Sequence, residues 1–439
     1  MEILAIILFL SIFILILYGF PVAFTLGGIS IIYAVCFLDP VSFTALPPRI
    51  MGVMSNYVLL AVPLFIFMGI MLEKSGLAES LLETMAILFG KVKGGLAISV
   101  VIVGALLAAS TGIVGATVIT MGLISLPTML KRGYQPELAT GTIAASGTLG
   151  QIIPPSVVLV LLGSVLNVSV GNLFAAALLP GVVLVILYIV YILVLARIRP
   201  EFAPPIPEEE IVAFKKDNFV KKVFYAFFLP LLLIVAVLGS IFAGIASPTE
   251  AAAVGAMGAS ILTITQGKFN LIVLRAVMRE TTHLTSMVFI ILLGATTFTF
   301  VFREMNGDGY LINLIQNANL SPMVFLGLVM LVVFIAGFFI DFIEIIFIIV
   351  PVVAPIFMEL GIDLIWIGIL LALNLQTSFL SPPFGFSLFY LKGVAPPEIT
   401  TQHLYKGIIP FVAIQIVFVV LVILFPEIIY LTQGWFNTL

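Results

Sequence analysis

The chain has 439 residues, 62% hydrophobic and 9% charged, with a mean hydropathy of +1.32. Soluble domains carry about 25% charged residues, so a water-facing surface cannot be built from this composition, which excludes a soluble enzyme. The 18 Lys+Arg against 21 Asp+Glu leave no basic excess for a phosphate backbone and exclude a nucleic-acid binder. The reading is an all-α polytopic membrane protein in contact with lipid.

In chain order, Met1-Glu2 leads into the apolar run Ile3–Tyr18 with no basic n-region and no cleavage signal, so a retained first helix is expected rather than a signal peptide. A bilayer crossing needs about 20 apolar residues. Candidate spans follow at 2–18, 22–38, 57–73, 137–166, 171–198, 223–243, 249–266, 284–302, 361–391 and 404–431, with two further apolar stretches at 94–130 and 321–358. The one long hydrophilic segment, 199–222, divides the chain almost in half. The single cysteine, Cys36, lies in an apolar run and allows no intrachain disulfide. His283 and His403 flank basic segments without ligand spacing, so they read as interfacial residues, and neither a zinc- or iron-type site nor any other cofactor is expected.

Lys and Arg concentrate in cytoplasmic loops. With the N-terminus outside, Lys74, Lys91, Lys93, Lys131, Arg132, Arg197, Arg199, Lys215, Lys216, Lys221, Lys222, Lys268, Arg275, Arg279, Lys392 and Lys406 all fall inside, 16 of the 18 basic residues. Arg49 and Arg303 remain outside. They suit docking of an acidic partner or attraction of an anionic substrate, or else serve as interfacial anchors with snorkelling stems.

About ten spans, five on each side of residues 199–222, predict two repeats of inverted topology: 1–198 and 223–439, joined by a cytoplasmic linker at 199–222. An offset of 228 puts Pro127 on Pro355, Gly133 on Gly361, and Pro154-Pro155 on Pro382-Pro383 without a gap, the internal symmetry of many secondary transporters. Segments 74–90 and 303–319 follow equivalent third spans and read as amphipathic arm helices at opposite faces.

The stretch 94–130 begins and ends beside basic residues, and its centre, Ala108 to Thr117, is built of small and hydroxyl residues. A re-entrant hairpin entering from the cytoplasm fits; two full helices packed through small residues would select the same composition. Its counterpart, 321–358, carries Asp341 and Glu344 in an otherwise apolar run. A charge at mid-bilayer costs ~2.5–3.5 kcal/mol or more, which favours cation coordination or proton carriage; a helix-capping carboxylate is the plainer alternative. Each hairpin precedes a span interrupted by two prolines, 137–166 at Pro154-Pro155 and 361–391 at Pro382-Pro383. Proline removes a donor and disfavours helix in the residue before it. Both helices should therefore unwind and free carbonyls beside hydroxyl and amide side chains, neutral oxygens suited to sodium, with half-helix N-termini suited to an anionic substrate. Ser247-Pro248-Thr249-Glu250 reads as a helix start.

Three motifs carry a family likeness: Ser-Pro-Thr-Glu-Ala-Ala-Ala at 247–253, Gly-x-x-x-Asp at 337–341 with Pro351 and Pro355, and Gly-Gln-Ile-Ile-Pro-Pro-Ser at 150–156. Across nearly the whole chain the sequence resembles the large membrane subunit of tripartite ATP-independent periplasmic (TRAP) transporters. The resemblance implies a multi-pass protein of the bacterial cytoplasmic membrane. It also implies two partners, a small four-helix membrane subunit and an extracytoplasmic substrate-binding protein, and a sodium-driven elevator in which hairpins and interrupted helices slide against a fixed scaffold. Carried over to these positions, one sodium site lies between Ser110, Thr111, Gly112 and Ser146, Gly147, Thr148. A second lies between Gly337, Asp341 and Asn374, Thr377, Ser378. Substrate sits between them, near Gln151, Pro154, Pro155, Ser156, Ser381, Pro382 and Pro383. Glu344 departs from the commoner family pattern of small residues after the aspartate. The run around it is similar to the subfamily labelled for mannitol or chloroaromatic compounds, which suggests a 2-oxo or hydroxy monocarboxylate substrate and leaves proton coupling open. A stand-alone sodium- or proton-coupled anion symporter of the divalent-anion or citrate type would share these features. An intramembrane enzyme would not, because no nucleophile–base pair or HExxH-like helix is present.

Overall fold

The computed structural model describes residues 2–112, 114–215 and 219–436, and every regular element among them is helical. Two short helices open the chain, α1 (Glu2–Leu17) and α2 (Val22–Phe37). At 16 residues each they reach about 24 Å. A short helix within the outer loop, α3 (Leu46–Met54), leads to α4 (Ala61–Lys74), which continues from a 3-10 turn begun at Tyr57. The first arm helix is α5 (Leu77–Leu88), its apolar side buried through Leu77, Leu81, Leu82 and Met85.

Helices α6 (Gly95–Thr111) and α7 (Val114–Lys131) form the first hairpin, and α8 (Pro136–Thr148) and α9 (Val157–Leu166) flank the first proline pair. The long α10 (Val170–Ile198) closes the first half. The segment 199–222, expected as a cytoplasmic linker, contains α11 (Glu208–Lys215), and α12 (Phe219–Val223) begins at its end. Lys216, one of the expected inner-face cations, lies outside the described residues. Three backbone hydrogen bonds tie this segment to the first half: Gly94 N–H donates to Ala203 O at 2.9 Å, Ile206 N–H to Gly90 O at 2.9 Å, and Gln135 N–H to Phe202 O at 3.0 Å. Composition alone does not reveal that tethering, because the docking residues Ala203, Ile206 and Ile211 are few and scattered.

In the second half, a π-turn joins α12 to α13 (Leu229–Phe242). Next come α14 (Pro248–Thr265), α15 (Leu271–Glu304) and the second arm helix, α16 (Gly307–Asn317). The Ser247 start is a capping box: Glu250 accepts from the Ser247 N–H at 2.8 Å, and Glu250 N–H donates to Ser247 Oγ at 3.3 Å. Helix α15 begins thirteen residues before the expected span at 284, and its 34 residues extend about 51 Å. Helices α17 (Pro322–Ala336), α18 (Phe342–Ile348) and α19 (Val350–Glu359) make the second hairpin, with α18 and α19 bent by 50°. Then α20 (Leu364–Leu380) and α21 (Phe386–Val394) flank the second proline pair. The last expected span, 404–431, is two helices, α22 (Thr401–Leu424) and α23 (Glu427–Phe436), because Pro426 cannot continue the helix.

By length and composition six helices among the described residues are long and apolar enough to cross a membrane, fewer than the ten expected spans. Two groups of helices organise the interior. Helix α2 packs along α15, and α4 along α14. Separately, α8 packs against α6, α7 and α22. Glycines set the closest crossings. A Cβ on Gly141 of α8 would lie 2.1 Å from Gly407 O of α22, and one on Gly294 of α15 would lie 2.5 Å from Ala23 O of α2. Small residues let helix backbones meet where apolar side chains alone give no advantage over lipid.

Candidate functional site

The site is built where hairpins meet interrupted helices. Helix α8 ends at Thr148, a 3-10 turn covers Leu149–Gln151, and residues 152–156 are non-helical up to α9. Pro154 and Pro155 lack N–H groups, so the ladder cannot run through them. The second interruption, residues 381–385, lies between α20 and α21. Both Pro-Pro bonds are cis.

The first hairpin presses its backbone into the first interruption. A Cβ on Gly104 would sit 2.6 Å from Ser146 Oγ, one on Gly147 2.4 Å from Val118 Cγ2, and one on Gly150 2.2 Å from Ala108 O. Gly112, in the left-handed region with φ +62°, ends α6 where a Cβ would be 2.9 Å from Val157 N at the start of α9. Thr111 is buried, its hydroxyl 2.9 Å from that of Thr117. The side chain of Ser110, the third expected ligand at this tip, lies outside the described residues. Ser146 and Gly147 are therefore packed on the body of the hairpin, at Gly104 and Val118, while the tip glycine Gly112 meets Val157 beyond the interruption. Ser156 donates its hydroxyl to Gln151 O at 3.0 Å.

On the other side, a Cβ on Gly337 would fall 2.1 Å from Ser378 Oγ. Asn374 Nδ2 donates to Met330 O at 2.7 Å, which joins α20 to α17. Asp341 takes a helix-capping position: it accepts from Phe342 N–H at 2.7 Å, and Glu344 returns to the Asp341 N–H at 3.2 Å. The plainer of the two readings of these carboxylates thus accounts for their hydrogen bonds. Glu344, the departure from the family pattern, is the second half of that cap. Ser381 is buried, Pro382 half-buried and Pro383 exposed, and Tyr405 O–H donates to Pro383 O at 2.6 Å. The two interrupted units are in contact: the turn Leu149–Gln151 of the first packs on α20, the helix that ends at the second.

Ser146, Thr148, Thr377, Ser378 and Ser381 donate their hydroxyl protons to carbonyls three or four residues back, at 2.8–3.0 Å. Their oxygens keep lone pairs, the donor set of a hard cation. The amides of Gln151 and Gln376 are different. Both side chains are fully buried, and neither Oε1 nor Nε2 has a hydrogen-bond partner among the described residues. An unpaired buried polar group costs ~1–3 kcal/mol, so two complete amides left open are candidates to meet a polar ligand. Gln376 is a candidate that the sequence reading did not include among the site residues. The signal available was its position within Asn374-Leu375-Gln376-Thr377-Ser378, a polar cluster in an apolar helix.

Arg49 and Arg303, far apart in sequence, line one cavity of about 450 Å³. The Arg49 guanidinium lies 5.0 Å from the Phe300 ring centre, and Arg303 Nε 3.0 Å from Asp308 Oδ2.

Over residues 9–428 the sequence matches the family described as tripartite ATP-independent periplasmic transporter, DctM component. It is 32% identical over 409 residues to the C4-dicarboxylate TRAP transporter large permease protein DctM of Pseudomonas aeruginosa, covering 93% of each chain. It is 29% identical over 411 residues to the sialic acid TRAP transporter large permease protein SiaM of Vibrio cholerae, again covering 93% of each. Among solved structures, the fold is similar to the YdaH transporter of Alcanivorax borkumensis, with a TM-score of 0.63, 15% identity and coverage of 94% and 97% of the two chains.

Proposed function

Because the chain belongs to the DctM family, the large membrane permease of TRAP transporters, and is a transport subunit rather than an enzyme, we propose that it imports a small organic carboxylate handed over by an extracytoplasmic binding protein, with sodium as the coupling ion. The family's permease works with a small membrane subunit and a periplasmic binding protein. The relatives named above carry C4-dicarboxylate and sialic acid in their names, and both are carboxylates. The run around Glu344 narrows the class to a 2-oxo or hydroxy monocarboxylate.

One observation supports this reading: two interrupted helices in contact, each against a hairpin, carry buried hydroxyl oxygens and two buried amides whose polar atoms have no partner among the described residues. Neutral oxygens suit sodium. The first sodium site draws on Ser110, Thr111, Gly112, Ser146, Gly147 and Thr148, the second on Gly337, Asp341, Asn374, Thr377 and Ser378. Substrate contacts Gln151 and Gln376 between them, beside Pro154, Pro155, Ser156, Ser381, Pro382 and Pro383. The two halves are inverted repeats of five crossings and one re-entrant hairpin each, with the N-terminus outside. The α2–α15 and α4–α14 pairs form the scaffold. The hairpins and interrupted helices form the core that moves as an elevator.

The test is uptake into proteoliposomes holding this chain and the small subunit, with the binding protein outside, scanning sodium, pH and a panel of carboxylates. Sodium-dependent uptake that requires the binding protein is expected. Uptake of free substrate by the membrane part alone would favour a stand-alone symporter, and a dependence on pH without sodium would favour proton coupling.

A further inference from the structure

Two cavities lined by described residues differ in charge. The one of about 690 Å³ is bordered by Glu79, Glu83 and an Arg132–Glu210 ion pair of 2.7 Å, so its rim is acidic. The one of about 450 Å³ holds Arg49 and Arg303, with no acidic residue among the described residues that line it. Its remaining polar wall is neutral: Asn56, Ser164, Asn167, Thr296 and Thr299. Of the elements bordering it, α3, α9, α15, α19 and α20 contribute the end that the lysine and arginine distribution assigns to the outside, and Leu59 and Phe347 of the turn before α4 and of α18 complete the lining, whereas the acidic cavity draws on the inner ends.

The basic cavity has the size of a small-molecule site. Its two guanidiniums are held rather than loose. Arg49 is set over Phe300, and Asp308 accepts from Arg303 Nε, which offsets part of that charge but leaves further donors on a five-donor group. Asn56 donates to Ser164 Oγ at 3.3 Å, joining the turn before α4 to α9 across the cavity. One wall is α15, which packs on α2; the facing wall is α9, which follows the first interruption, and α19, the last helix of the second hairpin.

We propose that this cavity is a carboxylate-capture site: Arg49 and Arg303 take the anionic group of the substrate before it reaches the interrupted helices. The proposal rests on the import reading above and adds a first stop to it. Arg–carboxylate hydrogen bonds are charge-assisted, so uncharged analogues of the same shape are rejected.

The test uses the chain with its small subunit in nanodiscs, in sodium-free buffer. Binding of lactate and succinate is read by saturation-transfer NMR against lactamide and succinamide. The acids bind and the amides do not, and Arg49→Met and Arg303→Met each weaken binding roughly tenfold or more. In the unmutated protein, succinate protects Arg49 and Arg303 from phenylglyoxal while Arg275 and Arg279 react as before, a readout that needs no variant to fold. Equal binding of acids and amides, or no protection of the pair, overturns the proposal. So does unchanged acid binding in the variants with weakened capture of the binding protein, which would assign the arginines to protein docking. Capture is measured without sodium and without transport, so its failure is separable from failure of sodium-coupled uptake.

Discussion

The two hairpin–interruption units are held together by different means. In the first, backbone meets backbone: Gly150 lies against Ala108 O, Gly112 against the Val157 amide, and Gly104 and Gly147 against the side chains of Ser146 and Val118. In the second, side chains make the junction. Ser378 meets Gly337, Asn374 reaches Met330 O, and Asp341 with Glu344 closes the hairpin's own helix end. A backbone carbonyl cannot step aside, whereas a hydroxyl can rotate. The first unit should therefore tolerate no added atom at Gly150 or Gly112, where backbone is met, and the second should yield.

The largest effect follows directly. Gly150→Ala puts a methyl 2.2 Å from Ala108 O, beyond the ~1–3 kcal/mol of ordinary overpacking. Loss of folded protein in size-exclusion chromatography or a large fall in Tm is expected; a near-normal Tm would mean that the first junction is loose. Gly337→Ala is the paired test. It meets Ser378 Oγ first and Ser378 Cβ at 2.8 Å, so a cost of about 1–3 kcal/mol is expected, relieved in part in the Gly337→Ala/Ser378→Ala double variant. Absence of that relief would show that the second junction is as rigid as the first.

Next come the open amides. Gln376→Leu and Gln151→Leu remove a buried, unpaired group and should raise stability by ~1–3 kcal/mol while suppressing uptake. A lower Tm with unimpaired transport would show that both amides are structural. Asp341→Ala removes a cap, a loss of about 1 kcal/mol. Asp341→Asn keeps an acceptor and should leave Tm nearly unchanged while shifting the sodium dependence of uptake; an unaltered curve takes Asp341 out of the second proposed sodium site. Ser146→Ala is the mildest. It should raise the sodium concentration for half-maximal uptake with little change in Tm, and an identical curve would strike it from the first site.

Legibility followed the range of the rule involved. Pro154-Pro155 and Pro382-Pro383 mark breaks because a missing N–H acts within a few residues, and Ser247 with Glu250 marks a helix start for the same reason. The boundary at Phe425–Pro426 obeyed the same proline rule and was obscured by the hydropathy on both sides. The early start of α15 was obscured by Arg275, Arg279 and His283, which read as loop because charge outweighed helical continuity. Glu344 could be placed on the face of Asp341 by spacing, but only the fold showed the pair closing a helix end.

By itself the sequence determined the solvent, the helical class and where helices must stop, since hydropathy and proline geometry are properties of short segments. Tertiary structure decided that Gln151 and Gln376 are buried without partners among the described residues and that Arg49 and Arg303 line one cavity. It also decided that residues 202–206 pair with the backbone beside the first hairpin. Those facts concern which groups end up adjacent and which are left unpaired. Only packing of the whole chain fixes both.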